Sequence, residues 1–408
     1  MTTSTLPVPA SLGRLQRLGL LAGGVFLLVL AAGFFVDREQ FFRSYLLGWL
    51  FWIGIAVGCL GLAMLNQLTG GLWGLVPRRF HEAAARTIPA MAVLFLPVLL
   101  GLGTLYVWSR PEVVAADEII RSKTAYLNVP FFLARAVLYF AVWTGLALLV
   151  SRWSSQQDGG ADASRAARLR GLSGVGLVAL SGTTTFAAID WGMSLAPHWF
   201  STMYGVLFIV GWTLSALSFT IVLMARLSGE APVSAALKPG TVHDLGKLLL
   251  AFTMLWAYVN FSQFLIVWSG NISEETPFYI QRLHGGWGVI AVVLLLFHFA
   301  LPFALLLSRP LKRNARSLAV VAWLMLVMQL VDLYWLIGPD LMTQGHGHAP
   351  LRFHWMDLAA ALGMGGLWLF LFARQVRTRP VLPLGEPAVR ALVERRAGSA
   401  AGAVVVTS

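Results

Sequence analysis

The chain holds a single cysteine, Cys59, in 408 residues, and only 12% of its residues are charged. One cysteine cannot supply the thiolates of an iron–sulfur cluster, and no C-x-x-C-H motif is present for covalent haem attachment. This chain therefore builds neither centre by itself, and an electron relay of that kind would belong to partner proteins. Cys59 lies inside an apolar run and reads as a small hydrophobe. The scarcity of charge excludes a soluble globule, because 58% of the residues are hydrophobic and the mean hydropathy is +0.74.

What is abundant is apolar sequence of membrane-crossing length. A hydrocarbon core about 30 Å thick takes roughly 20 apolar residues per helix. Ten stretches meet this: Leu15–Val36, Ser44–Leu68, Thr87–Trp108, Val129–Val150, Leu172–Asp190, Phe200–Met224, Leu245–Trp268, Gly285–Leu307, Leu318–Ile337 and Phe353–Phe372. None alternates with period two, so the expected fold class is an all-α integral membrane protein, not a barrel. The first stretch follows Arg14 and Arg17 and is too long for the apolar part of a signal peptide, so it reads as a retained span.

The formal net charge of +12 would suit nucleic acid if it formed a patch, but it is spread by topology. Most Lys and Arg fall on the side holding both termini, at Arg14 and Arg17, Arg78 to Arg86, Arg152 to Arg170, Arg226 to Lys247, Arg309 to Arg316, and in the tail. The other side holds Arg38, Arg43, Arg110, Arg121, Lys123, Arg282 and Arg352. The positive-inside rule then places both termini in the cytoplasm. Membrane lipid is the expected surroundings, and nucleic acid is not an expected partner.

Residues 1–14 form the N-terminal segment, 15–376 the membrane domain and 377–408 a Pro-, Arg- and Ala-rich tail expected to be disordered. The polar "SSQQDGGADASRAAR" (Ser154–Arg168) reads as a flexible linker between membrane halves. Short motifs recur in the same order four spans apart. "LYVWS" matches "LIVWS", "PFFLAR" matches "PFYIQR", and Asp190 precedes Pro197 as Asp332 precedes Pro339. Tyr45 and the "LTG" ending at Gly70 parallel Tyr204 and the "LSG" ending at Gly229. The pattern predicts two tandem four-helix bundles, residues 44–190 and 200–337, with the first and tenth spans outside the repeat. These repeats are parallel, whereas many secondary transporters have inverted ones. A secondary transporter of a small solute is therefore the runner-up reading.

Charged side chains inside spans are candidates for function. Arg135 and Arg282 begin the fourth and eighth spans, while Asp190 and Asp332 fall near the outer ends of the fifth and ninth. Each bundle is thus expected to hold an Arg and an Asp at similar depth. Such a pair either locks two helices or handles protons or quinone. Tyr258 and Gln263 on the seventh span, with His298 on the eighth and Gln329 and Tyr334 beside Asp332 on the ninth, suggest a hydrogen-bonded path. His284 and His298 are almost four turns apart, so on one helix they would point the same way about 21 Å apart, as in stacked haems. No other span carries a matching His pair, so no covalently held or metal-bound cofactor is expected on this chain, and quinone or quinol stays a candidate ligand. His198, in the corner "DWGMSLAPHWFSTMYG", is the remaining protonatable candidate; the rest of that stretch reads as a rigid turn with an aromatic belt. His346, His348 and His354 cluster near one outer surface, where Gly-rich loops collect such residues. "GLGTL" and "GMGG" fall inside spans and read as close helix contacts, not phosphate loops.

"DWGMSLAPHWFSTMYG", "FSQFLIVWSGN" and "LLLSRPLKRN" resemble the F-type membrane subunit (ActF) of bacterial alternative complex III, a quinol:cytochrome c oxidoreductase, within the wider NrfD/polysulfide-reductase membrane-subunit family. The resemblance runs from about the second span to the tenth. It implies a subunit that is not catalytic alone, and a complex containing a sister NrfD-like membrane subunit, an iron–sulfur subunit and cytochrome c subunits. Iron–sulfur clusters and haem c would sit on those partners. Quinol would bind chiefly beside the sister subunit, leaving this chain as a candidate proton route. The family's first motif has an acid before Pro-His where this chain has Ala196, so a proton role for that acid does not carry over.

The charge distribution generates a direct test. Reporter fusions placed after Arg377 and within Glu112–Lys123 are expected to report opposite sides of the membrane. Both reporting the same side would overturn the ten-span topology.

Overall fold

In a bilayer every backbone N–H and C=O must find a partner within the protein, and an apolar chain with few charges meets that demand as helices. The computed structural model describes residues 8–159, 162–343 and 350–394, and among these there is no strand. Among the described residues, ten helices are long and apolar enough to cross a membrane. They are Ala10–Val36, Arg38–Thr69, Arg78–Leu100, Val129–Gln156, Ala163–Leu195, Tyr204–Leu227, Pro239–Gly270, Trp287–Leu307, Ala315–Thr343 and Trp355–Val376, here numbered first to tenth span.

Polar residues set the ends. Asp37 accepts from the Gln40 N–H and starts the second span one residue after the first ends. Asn128 and Asp162 cap the fourth and fifth in the same way. His354 and Asp357 form a reciprocal capping box at the tenth. Left-handed Asn271 closes the helix of the seventh span, and Gly285 and Gly286, both at positive φ, turn the chain into the eighth.

Spans two to five pack together, as do spans six to nine, giving the two expected bundles. The second and sixth spans meet at the centre and are the most enclosed, 89% and 78% buried over their apolar windows. The tenth lies against the second, and the first lies almost wholly against the tenth. That last contact depends on missing side chains: a Cβ on Gly23 would meet Leu367 N at 2.5 Å, and one on Gly366 would meet Gly23 N at 2.3 Å. "GMGG" is therefore a close helix contact, as read from the sequence.

Three expectations change. The third span starts at Arg78, nine residues before Thr87, because its charged first turns are buried instead of forming a loop. Arg79 donates to Glu82 at 2.8 Å and also pairs with Asp158, Arg78 pairs with Glu386 at 2.6 Å, and His81 meets the Thr220 hydroxyl at 2.9 Å. Further along, Pro89 and Pro97 remove helical hydrogen bonds and break the span into short turns. The second change concerns the linker. The fourth helix runs to Gln156, a 3₁₀ turn follows at Gln157–Gly159, and Asp162 caps the next helix; only residues 160 and 161 lie outside the described chain. The third concerns the tail, which is ordered as far as residue 394. Val381, Leu382 and Val389 are buried, and Arg379 donates to the Ser151 carbonyl. Residues 395–408 lie outside the described chain, as do His346 and His348.

The glycine contact predicts that Gly366→Val detaches the first span. Thermal stability of the purified protein should fall by several degrees and the first span should become protease-sensitive. Gly24→Val is the control, since a Cβ there meets nothing within 4 Å.

Candidate functional site

Where the fourth span starts and the fifth ends, the first bundle holds a closed ion pair. Arg135 reaches Asp190 with two parallel bonds, Nε to Oδ2 and Nη2 to Oδ1, both 2.8 Å. Tyr139 donates to Oδ2 at 2.7 Å, and Arg135 also donates to the Tyr126 carbonyl at 3.0 Å. Its guanidinium lies 3.8 Å from the Tyr126 ring centre and 4.2 Å from that of Phe131. With charge, geometry and donors all satisfied, this pair fastens the start of the fourth span to the end of the fifth. Of the two readings left open for the Arg–Asp pairs, the geometry here is that of the lock.

The second bundle differs from the expectation. Arg282 does not pair with Asp332. It pairs with Asp340, one residue beyond Pro339, and also donates to the carbonyls of Leu336 and Phe278 while its guanidinium sits 3.4 Å from the Phe278 ring centre. The reason is helix length. The ninth helix runs through Pro339 to Thr343, beyond the Ile337 expected as its end, so its last turn carries Asp340 to the level of Arg282. The same extension moves Asp332 away from the outer end, to three residues from the helix midpoint, about 4.5 Å.

Asp332 is left with neutral partners. Trp256 Nε1 and Gln329 Nε2 each donate to its Oδ2 at 3.0 Å, and among the described residues no Arg, Lys or His forms an ion pair with it. A cavity of about 20 Å³ lies against Asp332 and Gln329, walled by Phe51, Leu207, Phe208, Gly211, Trp212, Ser215, Leu333 and Leu336. That is room for about one water molecule. On the far side of Trp256 lies His298, fully buried, with its ring centre 4.1 Å from the indole. Neither ring nitrogen of His298 has a partner among the described residues. His298 sits in a π-helical stretch, Leu294–Ala300, a distortion common at functional positions. Trp256 and His298 are, like Asp332, close to the midpoints of their helices.

Other candidates separate. Gln263 is buried two turns beyond Trp256 on the same face, and both its amide atoms lack partners among the described residues. Tyr258, expected inside the bundle, points outward and is 68% exposed. Tyr334 donates to the Arg352 carbonyl at the loop before the tenth span, away from the Asp332 carboxyl. His284 is exposed at that same end, beside the Gly285 carbonyl that accepts from the Leu351 N–H, with its Nδ1 2.7 Å from the Ile280 carbonyl. It is on a different helix from His298, because the Gly285–Gly286 turn intervenes, so the two do not share one helical face. His198 pairs with Asp117 at 2.6 Å, joining two loops outside the membrane spans. Desolvation pulls the Asp117 carboxyl up, but hydrogen bonds from the Ile120 N–H, His198 and the Ile119 N–H outweigh it and hold it below the usual range. Among the described residues no three His, Cys, Asp or Glu side chains converge as a metal site.

Sequence reading missed Trp256, Asp340 and Tyr139. Trp256 had a signal, since it shares the helical face of Gln263 at a spacing of seven. Asp340 directly follows Pro339, but a proline is a plausible helix end, and the helix was read as stopping short of it.

No family model matches the chain, and no curated protein matches it either.

The contrast between the two acids is testable by stability. Asp190→Asn strands a buried Arg135 and should cost about 3–5 kcal/mol, read as loss of folded protein in detergent. Asp332→Asn keeps a neutral acceptor for Trp256 and should leave the melting temperature within a few degrees of the parent. Equal loss in both variants would contradict the assignment.

Proposed function

We propose that this chain is a membrane subunit of a bacterial inner-membrane respiratory complex that oxidises quinol and passes electrons to cytochrome c or another periplasmic acceptor, with Asp332 as its proton-handling group. The observation that carries the proton role is a mid-membrane carboxyl with no cationic partner among the described residues, beside a cavity the size of a water. An acid held by a fixed Arg stays ionised and inert to proton exchange. One held only by neutral N–H groups carries no such constraint, so its proton can come and go. Both donors reach Oδ2, leaving Oδ1 as the oxygen open to a proton.

The respiratory assignment rests on the resemblance of "DWGMSLAPHWFSTMYG" and "FSQFLIVWSGN" to the ActF-type subunits. In this reading both termini face the cytoplasm. Quinol oxidation takes place beside the sister subunit, and the electrons leave through iron–sulfur and haem c groups on partner subunits. The chain's own contribution is the second bundle: Gln329 and Trp256 orient the Asp332 carboxyl, and His298 offers a second protonatable group behind the indole. The first bundle, with its acid locked to Arg135, supports the assembly mechanically.

Two measurements test this. Purification from native membranes should bring along iron–sulfur and c-type cytochrome polypeptides with a haem c spectrum. Purification without any redox partner, together with solute uptake by the chain alone in liposomes, would favour the transporter reading. In the reconstituted complex, Asp332→Asn should keep electron transfer within about twofold, by the neutrality of its partners, while fewer protons move per electron. An unchanged proton ratio with normal assembly would remove Asp332 from the path.

A further inference from the structure

Of the eight tyrosines only Tyr258 is exposed. Its position makes that costly. The apolar stretch between Lys247 and Ser269 is centred on it, and the helix end at Gly270 is about 18 Å away, beyond the reach of a phenol. Tyrosine is at home in the interfacial belts, where its hydroxyl meets water, not at the bilayer midplane. One turn on, the Ser262 hydroxyl lies on the same side of the helix. Among the described residues neither hydroxyl has a hydrogen-bond partner. Acyl chains offer none.

The surroundings have the form of a helix-packing seam. Met254, Tyr258, Phe261, Leu265 and Trp268 follow one another at spacings of four and three, the pattern of a supercoiled helix contact, and each is between 42% and 68% exposed. The seam is about 21 Å long, so it matches a membrane helix better than a small headgroup. The outward faces of the first and eighth spans are, by contrast, built from aliphatic residues and phenylalanine. Every residue of the seam is bulky. A second copy related by a two-fold axis would set bulky side chains, three of the five aromatic, against one another, whereas helix contacts in membranes are enriched in small residues that let backbones approach.

We propose that this seam seats a transmembrane helix of a different polypeptide, one that presents small residues to the rings and a hydrogen-bonding side chain to Tyr258 and Ser262. The proposal rests on the subunit reading only in placing the chain within an assembly. It does not depend on Asp332.

The test uses the full chain in its native membranes. A photo-reactive benzoylphenylalanine is placed at Phe261, and at Val178 on the outward face of the fifth span as a control. The Phe261 probe is expected to form an adduct with a membrane-spanning peptide of another polypeptide, mapped by mass spectrometry, whereas Val178 yields lipid adducts. Tyr258→Phe combined with Ser262→Ala should lower that adduct's yield about fivefold, as expected for the loss of interhelical hydrogen bonds within a membrane. Adducts at Phe261 with lipid alone or with a second copy of this chain would overturn the proposal, as would a yield indifferent to the two hydroxyls. Redox co-purification, measured on the same membranes, separates the two failures: if it persists while Phe261 meets only lipid, the seam is wrong and the subunit reading stands.

Discussion

The constraint on which the rest of this structure depends is that the membrane interior holds almost no water to solvate charge. Each ionised group taken inside must bring a partner, and the chain meets this with a small number of multidentate pairs. Arg135 grips Asp190 with two bonds and adds Tyr139, and Arg282 grips Asp340 while two carbonyls take up further donors. On the face holding the termini, Arg79 bridges Glu82 and Asp158, tying the third span to the turn after the fourth. These pairs sit at helix ends, where a shift of one turn would strand a charge. They therefore determine how the helices register against one another more firmly than apolar contacts alone, since lipid competes with those.

Against that background the two bundles have diverged. The interior of the first is filled by rings, with Trp49, Phe95, Phe140, Trp143 and Trp191 in mutual contact. The interior of the second carries Asp332, Gln329 and His298 around a single indole. In the first bundle the acid is closed off by Arg135, whereas in the second a carboxyl stands beside a water-sized gap with neutral partners. The same fold thus supports a half with an aromatic interior and a half with titratable groups at mid-depth, and the difference lies in a few side chains.

The ordered tail illustrates how weak sequence signals are amplified by context. Val381, Leu382 and Val389 are too sparse to announce a structured segment, and Pro and Arg around them suggest disorder. Burial on the termini face and the pair between Glu386 and Arg78 hold the segment in place. The same applies to the third span, whose first turns read as a charged loop because hydropathy cannot register that Arg78, Arg79 and Glu82 neutralise one another and their neighbours.

The all-α class, the ten spans, the two parallel repeats and the presence of an Arg and an Asp in each bundle follow from the sequence by itself. They depend on local hydropathy, on the bilayer's demand for internal backbone pairing and on short motifs at fixed offsets. Which acid pairs with which Arg was decided only in three dimensions. Asp332 and Asp340 are eight residues apart on one helix, and the choice turned on whether that helix continued through Pro339. Its continuation put Asp340 beside Arg282 and left Asp332 at mid-membrane with an indole and an amide. Tyr258 and Gln263 likewise share one helix, yet one faces outward and the other inward, because the angle at which a helix rotates is set by what packs against it. Pairing and rotation are properties of neighbours distant in the chain, and no local pattern carries them.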